Sequence, residues 1–128
     1  MRSVGSAAGA GEGPSAPVPI PRTSGEIVID GVIEEAAWET AARFEIAYEV
    51  SPGENTPAPV ATEVRMTWDQ DRVLVAFRCA DPNPSSIRAR YSDRDQLWTD
   101  DWVGIVLDTF NDQRRAYEFA VNPLGVQM

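Results

Sequence analysis

The stretch Asp93-Arg94-Asp95-Gln96-Leu97-Trp98-Thr99-Asp100-Asp101-Trp102 gathers two tryptophans, four carboxylates and an arginine. An exposed indole offers a flat apolar face to the C–H side of a sugar ring, while Asp, Arg and Gln side chains bond hydroxyls. The residue types therefore suit recognition of a saccharide, with Trp98 as platform and Asp93, Arg94, Asp95 and Gln96 as polar contacts. Trp98 stands between polar neighbours, a place equally suited to a loop cap. Trp102 opens the apolar run Trp102–Asp108 and reads as a core residue.

Hydrolytic chemistry is a poorer fit. A glycosidase needs two carboxylates flanking one bond. Asp100 and Asp101 are adjacent, so on a strand they would face opposite ways. Glu34 and Glu35 open a helical stretch, where the helix dipole already explains acids. No catalytic residue is expected. Calcium takes hard oxygens from loops, and it is the one cofactor the sequence suggests. Its candidate ligands are Asp100 and Asp101, with Asp69/Asp71 and Asp93/Asp95 as further pairs. Turn aspartates that bond their own backbone are the ordinary alternative.

Composition narrows the field further. The 128 residues carry a net charge of -9, which disfavours nucleic acid and anionic membrane surfaces and suits neutral ligands. There is no histidine, which removes the usual triads and most zinc sites. Every basic residue is arginine, so Schiff-base lysine chemistry is absent. The lone Cys79 lies in the apolar run Val73–Ala80 and reads as a small buried hydrophobe. No apolar run approaches the roughly 20 residues that span a bilayer, so no membrane insertion is expected of this segment.

These residues need a scaffold. Residues 1–25, rich in Gly, Ala, Ser and Pro, read as a flexible linker. Residues 26–128 read as one domain. Glu26–Ile29 is expected to be a strand ending in an Asp30-Gly31 turn, and Glu34–Ala42 a short helix anchored by Trp38. Alternation then predicts strands through Phe44–Val50, Thr62–Trp68, Val73–Ala80, Trp102–Asp108 and Ala116–Val121. The almost wholly apolar Val73–Ala80 is expected to be central, and Ser51–Pro59 a loop. Short strands punctuated by Asp, Asn, Gly and Pro predict an all-β fold, an antiparallel β-sandwich of jelly-roll type with one short helix near the start. Ending after about six strands, the sheet is expected to continue past Met128, in a larger polypeptide.

Five segments stand out together: Ile29-Asp30-Gly31-Val32-Ile33-Glu34-Glu35-Ala36-Ala37-Trp38, Val64-Arg65-Met66-Thr67-Trp68-Asp69, Leu74-Val75-Ala76-Phe77, Asp101-Trp102-Val103-Gly104-Ile105-Val106-Leu107-Asp108 and Phe119-Ala120-Val121-Asn122-Pro123. In combination they resemble family 9 carbohydrate-binding modules. The resemblance spans residues 27–128. It implies a jelly-roll-like sandwich, a non-catalytic role beside a carbohydrate-processing enzyme, polysaccharide or oligosaccharide ends as partners, and calcium in some members. It also implies an extracellular or bacterial cell-envelope setting. Trp98 falls where the family carries its first sugar-stacking tryptophan, and the second would lie beyond Met128. Two positions depart from the pattern: a ligand-binding glutamate would align with Gly104, and a ligand-binding arginine with Ala120. Those losses fit the alternative function, a structural or interaction domain of an envelope protein that has lost sugar binding.

Overall fold

The computed structural model describes residues 16–50 and 54–128. It is all-β, with antiparallel sheets, and forms two compact units, Met1–Asp81 and Pro82–Met128. The first unit holds β1 (Ala42–Glu49), β2 (Thr56–Trp68) and β3 (Val73–Cys79) in the order β1-β2-β3. The second holds β4 (Val103–Leu107) and β5 (Tyr117–Val121) as an antiparallel pair.

Register sorts the side chains of the first sheet. Phe44, Val64 and Phe77 lie side by side across the three strands, as do Ala42, Met66 and Val75. The opposite face carries Glu45, Glu63 and Arg78 in one row and Arg43 and Arg65 in another. The hairpin turn after β2 forms as expected: Asp69 accepts from the Asp71 and Arg72 amides, both at 2.8 Å, and pairs with the Arg72 guanidinium. The apolar β3 is an edge strand and β2 is central. Accordingly Cys79, at the end of β3, is exposed rather than buried. The expected loop 51–59 is shorter, because Thr56–Pro59 already belongs to β2 and Pro57 pairs with Tyr48. Pro57 and Pro59 are tolerated because β3 pairs only from Thr62 onward, leaving that stretch without a second neighbour.

The core of this unit is Ile27, Trp38, Ala41 and Leu74, with Ile33, Ala37 and Ala76 packed against it. Trp38 sits on the only turn of a 3-10 helix, Ala36–Glu39, which replaces the longer helix expected over Glu34–Ala42. The chain must enter β1 at Ala42, so one turn is all that fits, too little to nucleate an α-helix. Glu35 does not cap it; its carboxylate instead accepts the Val28 amide at 2.9 Å. That bond ties down Glu26–Ile29, which is not a strand: only Ile27 is buried, and Val28 and Ile29 face solvent.

The linker expectation divides. Residues 1–15 lie outside the described residues. Ile20–Thr23, however, are bonded to β2: the Trp68 indole N–H donates to the Ile20 carbonyl at 2.9 Å, the Thr67 hydroxyl to the Pro21 carbonyl at 2.9 Å, and the Thr23 amide to the Trp68 carbonyl at 2.8 Å. A proline-rich segment has few donors but keeps every carbonyl, so β2 supplies the N–H and O–H groups that the Ile20 and Pro21 carbonyls accept. The Arg22 guanidinium covers the Trp68 ring at 5.3 Å.

In the second unit Val103, Ile105 and Leu107 pair with Val121, Phe119 and Tyr117, giving the two-stranded sheet one wholly apolar face. After β5 the chain turns at Asn122–Gly125 and doubles back: Ala120 and Met128 exchange amide–carbonyl bonds of 2.9 Å in both directions.

Candidate functional site

The polar stretch before β4 is organised by what it buries. Leu97 is 0% exposed and Asp100 is buried, while Trp98 and Thr99 between them are exposed. The Asp100 amide donates to the Leu97 carbonyl at 3.0 Å, so the four residues form a β-turn whose central pair projects outward. Burial of Leu97 and Asp100 thus presents the Trp98 indole, which is 66% exposed.

Asp100 is held by a network reaching across the unit. Its Oδ2 accepts the Arg90 amide at 3.0 Å and the Asn122 side-chain amide at 2.9 Å, and its Oδ1 accepts the Arg90 Nε at 3.1 Å. The other end of the Arg90 guanidinium bonds the Thr99 hydroxyl. Asn122 is the hub: its amide also donates to the Arg90 carbonyl, and its carbonyl accepts the Leu124 and Val126 amides, each at 3.0 Å. Asp101 closes the base of the loop through a reciprocal pair with the Arg88 backbone, both bonds 2.8 Å.

This loop walls an open cleft of about 610 Å³. Trp98, Asp93 and Gln96, three of the residues singled out from sequence, meet there. Arg90, Tyr91, Ser92 and Thr99 complete the lining. The carboxylate of Asp93 and the side-chain amide of Gln96 make no hydrogen bond among the described residues, leaving both available to a ligand. Arg94 and Asp95 do not line the cleft; they approach each other at 3.9 Å on the surface. Asp95 acts through its backbone, adopting φ +67° while its amide bonds the Gln127 carbonyl at 3.0 Å. An aspartate tolerates that left-handed conformation better than most residues.

Trp102 is not a core residue: it is 40% exposed. Its ring meets Trp98 edge to face, centroids 6.4 Å apart and planes at 86°. The two departures from the family pattern explain where it lies. A Cβ on Gly104 would stand 2.9 Å from the Phe119 carbonyl oxygen, 3.3 Å from the Ala120 Cβ and 3.3 Å from the Trp102 ring. Gly104 and its cross-strand partner Ala120 thus make the flat seat on which Trp102 rests. Sequence alone suggested neither Trp102 as support for Trp98 nor Tyr91 as part of the cleft. The glycine paired with alanine was the available signal for the first.

Asp100 and Asp101, the candidate calcium ligands, both accept N–H donors: the oxygens of Asp100 take three, one from a cationic guanidinium, and Oδ2 of Asp101 takes the Arg88 amide. Among the described residues no three Asp, Glu, His or Cys side chains converge as a metal would need.

The sequence matches the family model described as Carbohydrate family 9 binding domain-like over residues 29–127. The chain belongs to that family. Neither a curated protein nor a solved structure gives a match. For this family 9-like domain the match covers both β-sheets and the whole cleft loop, including Trp98. The family is described as a binding domain, in keeping with a non-catalytic role.

The same carboxylates set the acid limit of the domain. The Arg90 amide and then the Asn122 amide hold the Asp100 carboxyl below its usual range. Backbone amides do the same first for Glu35, Asp69, Asp108 and Asp112, and the Arg65 side chain for Glu63. Each group is more acidic folded than unfolded, so its stabilisation is complete above the unfolded value of about 4 and is lost as pH falls through the lower folded value. The melting temperature should therefore stay level from about pH 7 to 5 and decline steadily below about pH 4. A melting temperature that held or rose on acidification, followed by circular dichroism, would contradict this assignment.

Proposed function

We propose that this domain is a non-catalytic carbohydrate-binding module that captures a saccharide end in the Trp98 cleft, as the accessory part of a larger secreted or envelope carbohydrate-processing protein. The observation that carries it is the β-turn Leu97–Asp100, which buries its ends and holds an exposed indole beside unengaged Asp93 and Gln96. Trp98 stacks on the C–H face of a sugar, and Asp93 and Gln96 bond its hydroxyls. The net charge of -9 favours neutral sugars. The wholly apolar face on the β4–β5 sheet and the Phe44/Val64/Phe77 row on the β1–β3 sheet are what a jelly-roll-like sandwich would bury.

Affinity should be modest. With glycine at 104 and alanine at 120, the charge-assisted hydrogen bonds a glutamate and an arginine would supply are absent. Titration with mono- and disaccharides, followed by tryptophan fluorescence, should give millimolar binding, worth about 4 kcal/mol. Trp98→Ala should abolish it. Micromolar binding that survives Trp98→Ala would put the site elsewhere. The Gly104 and Ala120 seat also favours a second reading, a structural or interaction domain of an envelope protein in which sugar binding is lost. An intact domain that binds no saccharide would select that reading.

A further inference from the structure

We infer that Tyr91 is the second aromatic contact of the cleft, and that the ligand is a saccharide of at least two rings, one against Trp98 and the next against Tyr91; this rests on the cleft being a sugar site. Tyr91 is the most exposed aromatic among the described residues, 83% exposed, and it lines the same cleft as Trp98. Its hydroxyl makes no hydrogen bond among the described residues, so both its ring and its O–H face solvent unengaged.

The backbone that carries Tyr91 is firmly held. Arg90 is fixed through its amide, its Nε and its carbonyl, by Asp100 and Asn122. On the other side the Ser92 hydroxyl donates to the Gln96 carbonyl at 3.3 Å. An unengaged aromatic on an anchored backbone is pre-organised for a partner, because little chain entropy is lost when one arrives. The volume points the same way. About 610 Å³ is more than one pyranose ring fills and falls within the range of sites for larger small molecules. Asp93, unengaged, and Gln96 belong to the same lining and can bond hydroxyls of either ring.

The experiment compares cellobiose and maltose with glucose, titrated into the intact protein, Trp98→Ala, Tyr91→Ala and Tyr91→Phe. Tyr91→Ala should weaken binding of at least one disaccharide about 5- to 10-fold, the loss of one aromatic contact, while glucose binding stays within about twofold. Tyr91→Phe should keep the disaccharide affinity within about twofold, and neither variant should change the melting temperature, since the side chain is exposed. Disaccharide binding that is lost in Trp98→Ala but unchanged in Tyr91→Ala overturns the role of Tyr91 alone. Equal losses for glucose and disaccharide overturn the two-ring ligand. Failure of the intact protein to bind any of the three sugars overturns the sugar site together with this inference.

Discussion

Trp38→Ala should destabilise the domain by about 3–5 kcal/mol, the usual range for removing a large aromatic from a packed core. Trp38 is 3% exposed and touches a small cluster, Ile27, Ala41 and Leu74, that has no other aromatic to close over the cavity. The indole N–H finds no hydrogen-bond partner among the described residues, and a buried unpaired donor costs stability rather than adding to it. It points toward the Glu35 carboxylate and helps to lower its proton affinity, yet falls short of hydrogen-bond geometry. Trp38→Phe, which keeps an aromatic ring and removes the unpartnered group, should therefore cost less than about 2 kcal/mol. Urea unfolding of the two variants measures both values. A loss below about 1 kcal/mol for Trp38→Ala would mean that the 3-10 turn is not held by its tryptophan.

Leu97→Ala should cost about 2–5 kcal/mol and remove saccharide binding with it. Leu97 is the inward end of the turn whose outward residue is Trp98, and it is fully enclosed. Truncating it leaves a cavity beneath the turn and frees the indole from its fixed orientation against Trp102. Urea unfolding reports the first effect. The second is visible in the near-ultraviolet circular dichroism of the Trp98–Trp102 pair, which should weaken even where the protein remains folded. A variant with normal stability and an unchanged aromatic signal would show that Leu97 does not position Trp98.

Much of the scaffold could be read from local patterns. Alternation of Val64 and Met66 with Glu63 and Arg65 gave the two faces of β2, and the Asp69–Arg72 segment declared its turn. Trp38 was legible as an anchor because it stood alone among alanines and acids. What escaped were properties set by distant partners. The apolar β3 looked central but lies at an edge, because hydrophobicity records burial of side chains and not which strands flank them. Trp102 opened an apolar run, yet the glycine two residues on made a shallow seat instead of an enclosed pocket. Asn122 looked like a turn residue and is one, but its amide also bonds Arg90 and Asp100, 32 and 22 residues earlier. Of the cleft lining, Trp98, Asp93 and Gln96 stood out in the sequence by residue type, whereas Tyr91 did not, because its place beside them depends on Asp100 and Asn122 fixing the residue before it.

The long reach of Asn122 bears on the order in which the protein becomes functional. The loop that presents Trp98 leaves the ribosome before Asn122 and Gln127, so its closure through Asn122 and the bond from the Asp95 amide to the Gln127 carbonyl wait for those later residues. Contacts so distant in sequence form late, after the loop-closure entropy has been met by other pairings. A nascent chain that has already built its first sheet therefore still lacks a finished cleft. Under the proposed function, recognition would begin only when the segment after Asn122 folds back onto β5, which would make saccharide binding a reporter of completed folding in the second unit.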